Sequence, residues 1–370
     1  RSYVTALSLI ADHHERAGEW DRALSSAQRL VDTDPWEEQA HRRVMRLLAR
    51  SGETTRALEH YSRLSQMLSS EFGSAPAAES SALADQIRTG GLAIPTRDLE
   101  IVYPLFLGDD PQATPTSTLF VGRNDELAAL RGPLDSAVSG DGRLVLIAGE
   151  AGSGKTMLAG EFAKRATASS EVLVARGRCN AYGGLGDPYL PFREVLARLT
   201  GDVESSLSAG AVDREQATRL WEAIPIASRL IHERGSSLIG TMVNGAGLIE
   251  RTTEAMPGAA WLETLRDQVA AAAQRPVLPE RMQPALFDEY TAVLEGIAAV
   301  RPIVVVVDDL QWADGGSIAL LWHLARRIEG MPLLLVGLFR PEEIEGRANS
   351  PHPLEKVLHE LRAAKPDCMI

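Results

Sequence analysis

The 370-residue sequence predicts an α-helical domain followed by an α/β domain built on a parallel sheet. Three observations carry that expectation. A seven-residue pattern near the start returns after 34 residues, embedded in helical periodicity. "LVLIAGEAGSGKTMLAGEFAKRA" (Leu144–Ala166) reads as a buried strand, a glycine loop and an amphipathic helix. "IVVVVDDLQWAD" (Ile303–Asp314) is a second buried strand, and it ends in two adjacent carboxylates.

The helical part is assigned to residues 1–91. "GEWDRAL" (Gly18–Leu24) recurs as "GETTRAL" (Gly52–Leu58), and Arg16, Arg29 and Leu30 map onto Arg50, Arg63 and Leu64. This is the period of tetratricopeptide helix pairs, in which the small Ala23 and Ala57 would let helices approach closely. Trp20, Ala23, Leu24, Ala27, Leu30 and Val31 follow helical spacing, as do Ala57, Leu58, Tyr61, Leu64 and Leu68. The blander alternative is a generic helical bundle. "DTDPWEEQA" (Asp32–Ala40) predicts a helix start with Asp34 as N-cap, Pro35 at N1 and Glu37 at N3. His13 and His14 lack metal-ligand spacing and read as ordinary helix residues. From 92 to 118 the periodicity stops and Pro95, Pro104, Pro111 and Pro115 accumulate, so this stretch reads as a linker, with "IVYPLFL" (Ile101–Leu107) packing on a neighbour.

Gly149-Glu150-Ala151-Gly152-Ser153-Gly154-Lys155-Thr156 fits G-x-x-x-x-G-K-[ST] at every defined position. Glycines let backbone N–H groups curl around phosphate oxygens, and the following helix adds its positive end. Lys155 would neutralise β- and γ-phosphate charge, and the Thr156 hydroxyl would ligate Mg²⁺. The aspartate ending the second strand supplies the expected partner, with Asp308 holding the metal directly or through water. Asp309 has two readings: it positions or deprotonates the attacking water, or it is an acceptor that orients Asp308 or Lys155. Arg340 follows another apolar strand, "MPLLLVGLFRPEE" (Met331–Glu342). It either senses a γ-phosphate or pairs with Glu342 or Glu343. Trp312 is expected to pack, and Asp314 to cap a helix beginning near Ser317. Gln311 has no role that the sequence supplies.

Strands at 144–148, 171–177, 303–307 and 332–338 alternate with helices, which implies a parallel sheet wrapped by helices. The site then belongs at the carboxyl ends of the strands. Thr200–Gln283 matches no motif and reads as a helical insertion, clearest at "AAWLETLRDQVAAAA" (Ala259–Ala273). A net charge of −12 argues against a broad nucleic-acid-binding surface on this chain. Two cysteines, Cys179 and Cys368, lack metal spacing and fit a reducing cytoplasm. No apolar run reaches the roughly 18–20 residues of a membrane span, and no signal peptide is visible. The first residues are already helical, and "PDCMI" (Pro366–Ile370) reads as the start of a strand, so an internal fragment is expected.

Together these features bear a family resemblance. Tyr3 to about Gly91, including "PAAESSALADQIRTG" (Pro76–Gly90), resembles the bacterial transcriptional activator domain. "FVGRNDEL" (Phe120–Leu127), the glycine loop, "GDPYLPFREVLARL" (Gly186–Leu199) and "DDLQWAD" resemble the AAA-related ATPase domain of STAND-type regulators, here placed at 119–370. The resemblance implies ATP/ADP and Mg²⁺ as ligands, with Val121, Gly122 and Arg123 near the adenine and ribose. It also implies a DNA-reading domain upstream of residue 1, protein partners on the helical repeats, and nucleotide-dependent homo-oligomers. The family's final strand, small helical domain and winged-helix lid would follow Ile370, and without them nucleotide binding is expected to be weak. The leading expectation is an ATP-dependent transcriptional regulator that switches conformation and hydrolyses slowly. A constitutive ATPase and a protein-interaction scaffold with a structural nucleotide site are the competing readings.

Overall fold

The computed structural model describes Leu7, Ile10, Ala11, His14 and residues 20–50, 54–88, 101–108, 122–181, 188–259, 261–274, 283–344, 352–364 and 368–370. It divides into two units, Arg1–Asp98 and Leu99–Ile370.

In the first unit, helices α1 (Trp20–Thr33), α2 (Glu38–Arg50), α3 (Thr54–Phe72) and α4 (Ala78–Arg88) each pack on the next, and α2 also reaches α4. Ala23 and Ala57, equivalent in the repeated pattern, are both fully buried, and the equivalent Leu30 and Leu64 are buried too. Small side chains at these points let the helices come close. The start of α2 differs from expectation. The Asp34 carboxylate accepts from the Trp36 amide at 3.2 Å, forming an Asx turn across Pro35, and the helix begins only at Glu38. Glu38 instead caps a different helix: its carboxylate accepts from Ala77 N at 3.0 Å and from Ser80 Oγ at 2.6 Å, at the start of α4. His14 is helical, whereas His13 lies outside the described residues.

The second unit is a three-layer α/β/α arrangement. In chain order it contains α5 (Asn124–Val138), β1 (Arg143–Ala148), α6 (Lys155–Ser169), β2 (Leu173–Arg178), α7 (Leu190–Leu199), α8 (Gln283–Ala298), β3 (Ile303–Asp308), α9 (Gly315–Arg327), β4 (Leu333–Phe339) and the short α10 (Pro341–Ile344). The strands are parallel in the order β1-β4-β3-β2. Strand side chains alternate between faces, and the core divides accordingly. Val145, Ile147, Val304 and Val306 pack with α5 and α6 on one face. Leu144, Leu146, Ile303, Val305 and Val307 pack on the other with α7, α8 and α9. Both faces being covered explains why these strands are continuous apolar runs.

Between α7 and α8, helices at Glu204–Ser208, Arg214–Glu222, Ile224–Arg234, Gly245–Ala255 and Leu262–Ala273 account for most of the stretch read as an insertion. Residues 101–108, within the stretch read as a linker, pack on these helices. Val102 N donates to Ala255 O at 3.0 Å, Trp221 Nε1 donates to Val102 O at 2.9 Å, and Leu107 is buried. Met369–Ile370 extend the sheet beside β1: Ile370 N donates to Leu146 O at 2.9 Å, and Ala148 N to Ile370 O at 3.0 Å. Among the described residues, no helix is long and apolar enough to cross a membrane.

Candidate functional site

The strand order creates the site. Because β4 lies between β1 and β3, the loop after β1 and the carboxylates after β3 flank a gap at the carboxyl edge of the sheet. Arg340 enters that gap directly from β4. The loop after β1 bends through Gly152 and Gly154, whose φ angles of +75° and +84° favour glycine. It delivers Lys155 and Thr156 onto the first turn of α6. Lys155 is only 8% exposed. Its ammonium donates to Gly149 O at 2.6 Å, Glu150 O at 2.9 Å and Ser153 Oγ at 3.4 Å. Burial lowers the Lys155 pKa and the Arg340 cation lowers it further, against the opposing pull of Glu342, Asp308 and Asp309.

Asp308 continues the face of Val304 and Val306, so it points toward α6. Its Oδ2 accepts from Thr156 Oγ1 at 2.8 Å, and its Oδ1 accepts from the Asp309 amide at 2.9 Å. A hydroxyl and a carboxylate oxygen this close are hard donors suited to Mg²⁺, which binds few protein groups and fills its shell with phosphate and water oxygens. The residues therefore fit the metal that the loop motif implies.

Asp309 takes a left-handed conformation (φ 57°), which turns its side chain away from Asp308. Its Oδ2 accepts from Arg178 Nε at 3.0 Å, and its Oδ1 accepts from Gln311 Nε2 at 2.9 Å. It is the Asp309 backbone, rather than its carboxylate, that contacts Asp308. Arg340 Nη2 lies 3.8 Å from Asp309 Oδ1, while Arg340 Nη1 donates to Glu343 Oε1 at 2.7 Å.

A family model for the AAA ATPase domain matches residues 119–336, more than half of the chain. The chain belongs to the AAA ATPase domain family. The match implies nucleotide binding in the unit that carries this site. A second model, the bacterial transcriptional activator domain, matches residues 1–88. A protein of Rhizobium meliloti (strain 1021), described only as uncharacterized, is 26% identical over 245 residues, which is 65% of this chain and 20% of the relative. The chain thus spans about a fifth of the length of that relative. No solved structure matches it.

Within the AAA ATPase domain, the remaining expected residues are placed as follows. Gly149, Glu150, Ala151, Gly152, Ser153 and Gly154 form the loop that Lys155 spans. Arg123, in a left-handed conformation, donates from its guanidinium to Ser153 O, which ties the start of α5 to the glycine loop. Gly122 is exposed with φ +89°, and Val121 lies outside the described residues. Asp314 caps α9, its Oδ1 accepting from Ser317 N at 2.9 Å, and also accepts from Tyr189 N at 3.2 Å ahead of α7. Trp312 is 39% exposed rather than packed away.

Three further residues join this network, of which Gln311 and Arg178 have no sequence-derived role and Glu342 is expected only as a partner of Arg340. Gln311 is buried and bridges two strand ends, donating to Asp309 and accepting from Arg340 N at 3.2 Å. Arg178, paired with Asp308 in the register of β2 and β3, reaches Asp309. Glu342 Oε1 accepts from the Ala151 amide at 3.0 Å. The sequence held one usable signal: Arg178 is the residue just past a recognised strand, at the edge where the site had to lie. A cavity of about 410 Å³ opens beside this network, with Arg178, Glu194, Asp309, Trp312 and Arg340 in its wall.

Proposed function

We propose that the AAA ATPase domain binds Mg-ATP and ADP, and that the bound nucleotide sets the conformation of a transcriptional regulator with slow hydrolysis. The supporting observation is the Thr156 Oγ1–Asp308 Oδ2 pair at 2.8 Å, set beside a buried Lys155 at the end of the glycine loop. Lys155 would exchange its contacts to loop carbonyls for phosphate oxygens, and Thr156 with Asp308 would hold Mg²⁺. Bound Mg²⁺ supplies charge neutralisation at the β- and γ-phosphate oxygens. Asp309 lies close enough to this edge to orient or deprotonate a water, once its contacts with Arg178 and Gln311 rearrange.

A switch requires ATP and ADP to stabilise two conformations unequally. Arg340 is a candidate for that difference, because it directly follows β4, the strand that lies between β1 and β3. The match to the bacterial transcriptional activator domain supports transcriptional control, in which helical repeats engage protein partners and DNA is read by a domain upstream of residue 1. Nucleotide-dependent homo-oligomerisation and a cytoplasmic setting complete the proposal.

The test is calorimetric titration of the chain with Mg-ATP and Mg-ADP. Wild type binds both, and Lys155→Ala loses at least about tenfold in affinity, a change of about 1.4 kcal/mol. Unchanged binding in that variant would refute the site assignment.

A further inference from the structure

The turn after β4, "RPEE" (Arg340–Glu343), is clamped on two sides. Gly149 N of the phosphate loop donates to Phe339 O at 3.3 Å, and Gln311 Oε1 accepts from Arg340 N at 3.2 Å. With its backbone held, the turn directs its two glutamates to different donors. Glu342 reaches the Ala151 amide at 3.0 Å, and Glu343 takes the Arg340 guanidinium at 2.7 Å. Both donors border the gap between the phosphate loop and Asp309. Each is therefore covered by an anion belonging to the chain itself.

We propose that Glu342 and Glu343 are specificity-determining residues of the nucleotide site, which disfavour a nucleoside triphosphate relative to a diphosphate. The inference rests on the nucleotide-binding reading above and adds a direction of preference to it. Diphosphate oxygens can be met by Lys155 and the amides at the start of α6, without disturbing the turn. A third phosphate placed toward Arg340 would bring another negative charge close to Glu342 and would compete with Glu343 for the Arg340 guanidinium. Like charges at such distances repel, and the repulsion weakens with added salt. Glu342 also opposes the lowering of the Lys155 pKa by burial and by Arg340.

The experiment compares affinities for Mg-ATP and Mg-ADP in the wild-type chain, Glu342→Gln and Glu342→Gln/Glu343→Gln, at low and high salt. Each carboxylate removed should raise the ATP-to-ADP affinity ratio about 3- to 10-fold at low salt, and less at high salt. ADP affinity should change by less than ATP affinity does, and retained ADP binding also reports that the variants are folded. A ratio equal to wild type, or equal shifts for both nucleotides, overturns the proposal. If the wild-type chain binds neither nucleotide, the nucleotide-binding reading itself falls, and this preference falls with it.

Discussion

Thr156 Oγ1 donates to Asp308 Oδ2 at 2.8 Å, joining the first turn of α6 to the end of β3 across 152 residues of sequence. In the proposed nucleotide-bound state both oxygens would turn toward one divalent cation. Replacing Asp308 by Asn keeps the hydrogen bond but removes the charge. The expected result is a loss of about 10- to 100-fold in the Mg²⁺-dependent part of ATP affinity. Affinity measured with EDTA in place of Mg²⁺ should change by less than about threefold. Equal losses under both conditions would mean that Asp308 shapes the phosphate loop instead of holding the metal.

Asp309 gives a second, sharper test. Both of its carboxylate oxygens are engaged, one by Arg178 and one by Gln311. If it activates water, Asp309→Asn lowers single-turnover hydrolysis by about 10²- to 10⁴-fold, the usual contribution of a positioned general base. ATP affinity should change little, because no contact to the phosphate loop is lost. A hydrolysis rate equal to wild type would leave Asp309 as the acceptor that fixes Arg178 and Gln311.

How much of this was legible in the sequence follows from what each feature depends on. The strands announce themselves because burial on both faces demands unbroken apolar runs, as in Ile303–Val307. The loop from Gly149 to Thr156 is equally plain, since only particular residue types can make it. The long-range contacts of Asp309 and of Glu342 depend instead on lateral strand order, which a linear pattern does not carry. Arg178 meets Asp309 because β2 lies beside β3, and Glu342 meets Ala151 because β4 lies beside β1. The start of α2 was misplaced for a local reason. Asp34 can serve either an N-cap or an Asx turn, and the cross-helix role of Glu38 is compatible with the turn.

Gly177 tests the packing that supports the site. A Cβ at this position would lie 1.9 Å from the Pro191 carbonyl oxygen, at the start of α7. That atom belongs to the backbone, so relief requires the helix to move off β2. Gly177→Ala should destabilise the second unit by about 1–3 kcal/mol, the usual cost of overpacking. Denaturant unfolding would show it as a lower midpoint. An unchanged midpoint would mean that α7 shifts freely, and that its approach to β2 is not a fixed feature of the fold.

The first unit contains a pH-sensitive histidine, His60. His41 Nε2 lies 2.9 Å from Pro35 O, and His41 Nδ1 lies 2.9 Å from His60 Nε2. A carbonyl can only accept, so Nε2 of His41 carries a proton. With both rings neutral, His60 Nε2 must then donate to His41 Nδ1. Burial, the neighbouring His41 and the Arg63 cation lower the His60 pKa from 6.5 to about 4. The folded state thus disfavours protonated His60, and the unfolded chain binds more protons between those two values. Stability is full above about pH 6.5 and falls as pH drops toward 4, with about 2 kcal/mol lost by pH 5 from this group. His60→Gln retains a donor for His41 but cannot titrate. Hydrogen exchange of the α2 and α3 amides, compared between wild type and variant at pH 7.5 and pH 5, should show wild type losing protection relative to the variant only at the lower pH. Equal protection at both values would mean that His60 gains no proton on unfolding in this range.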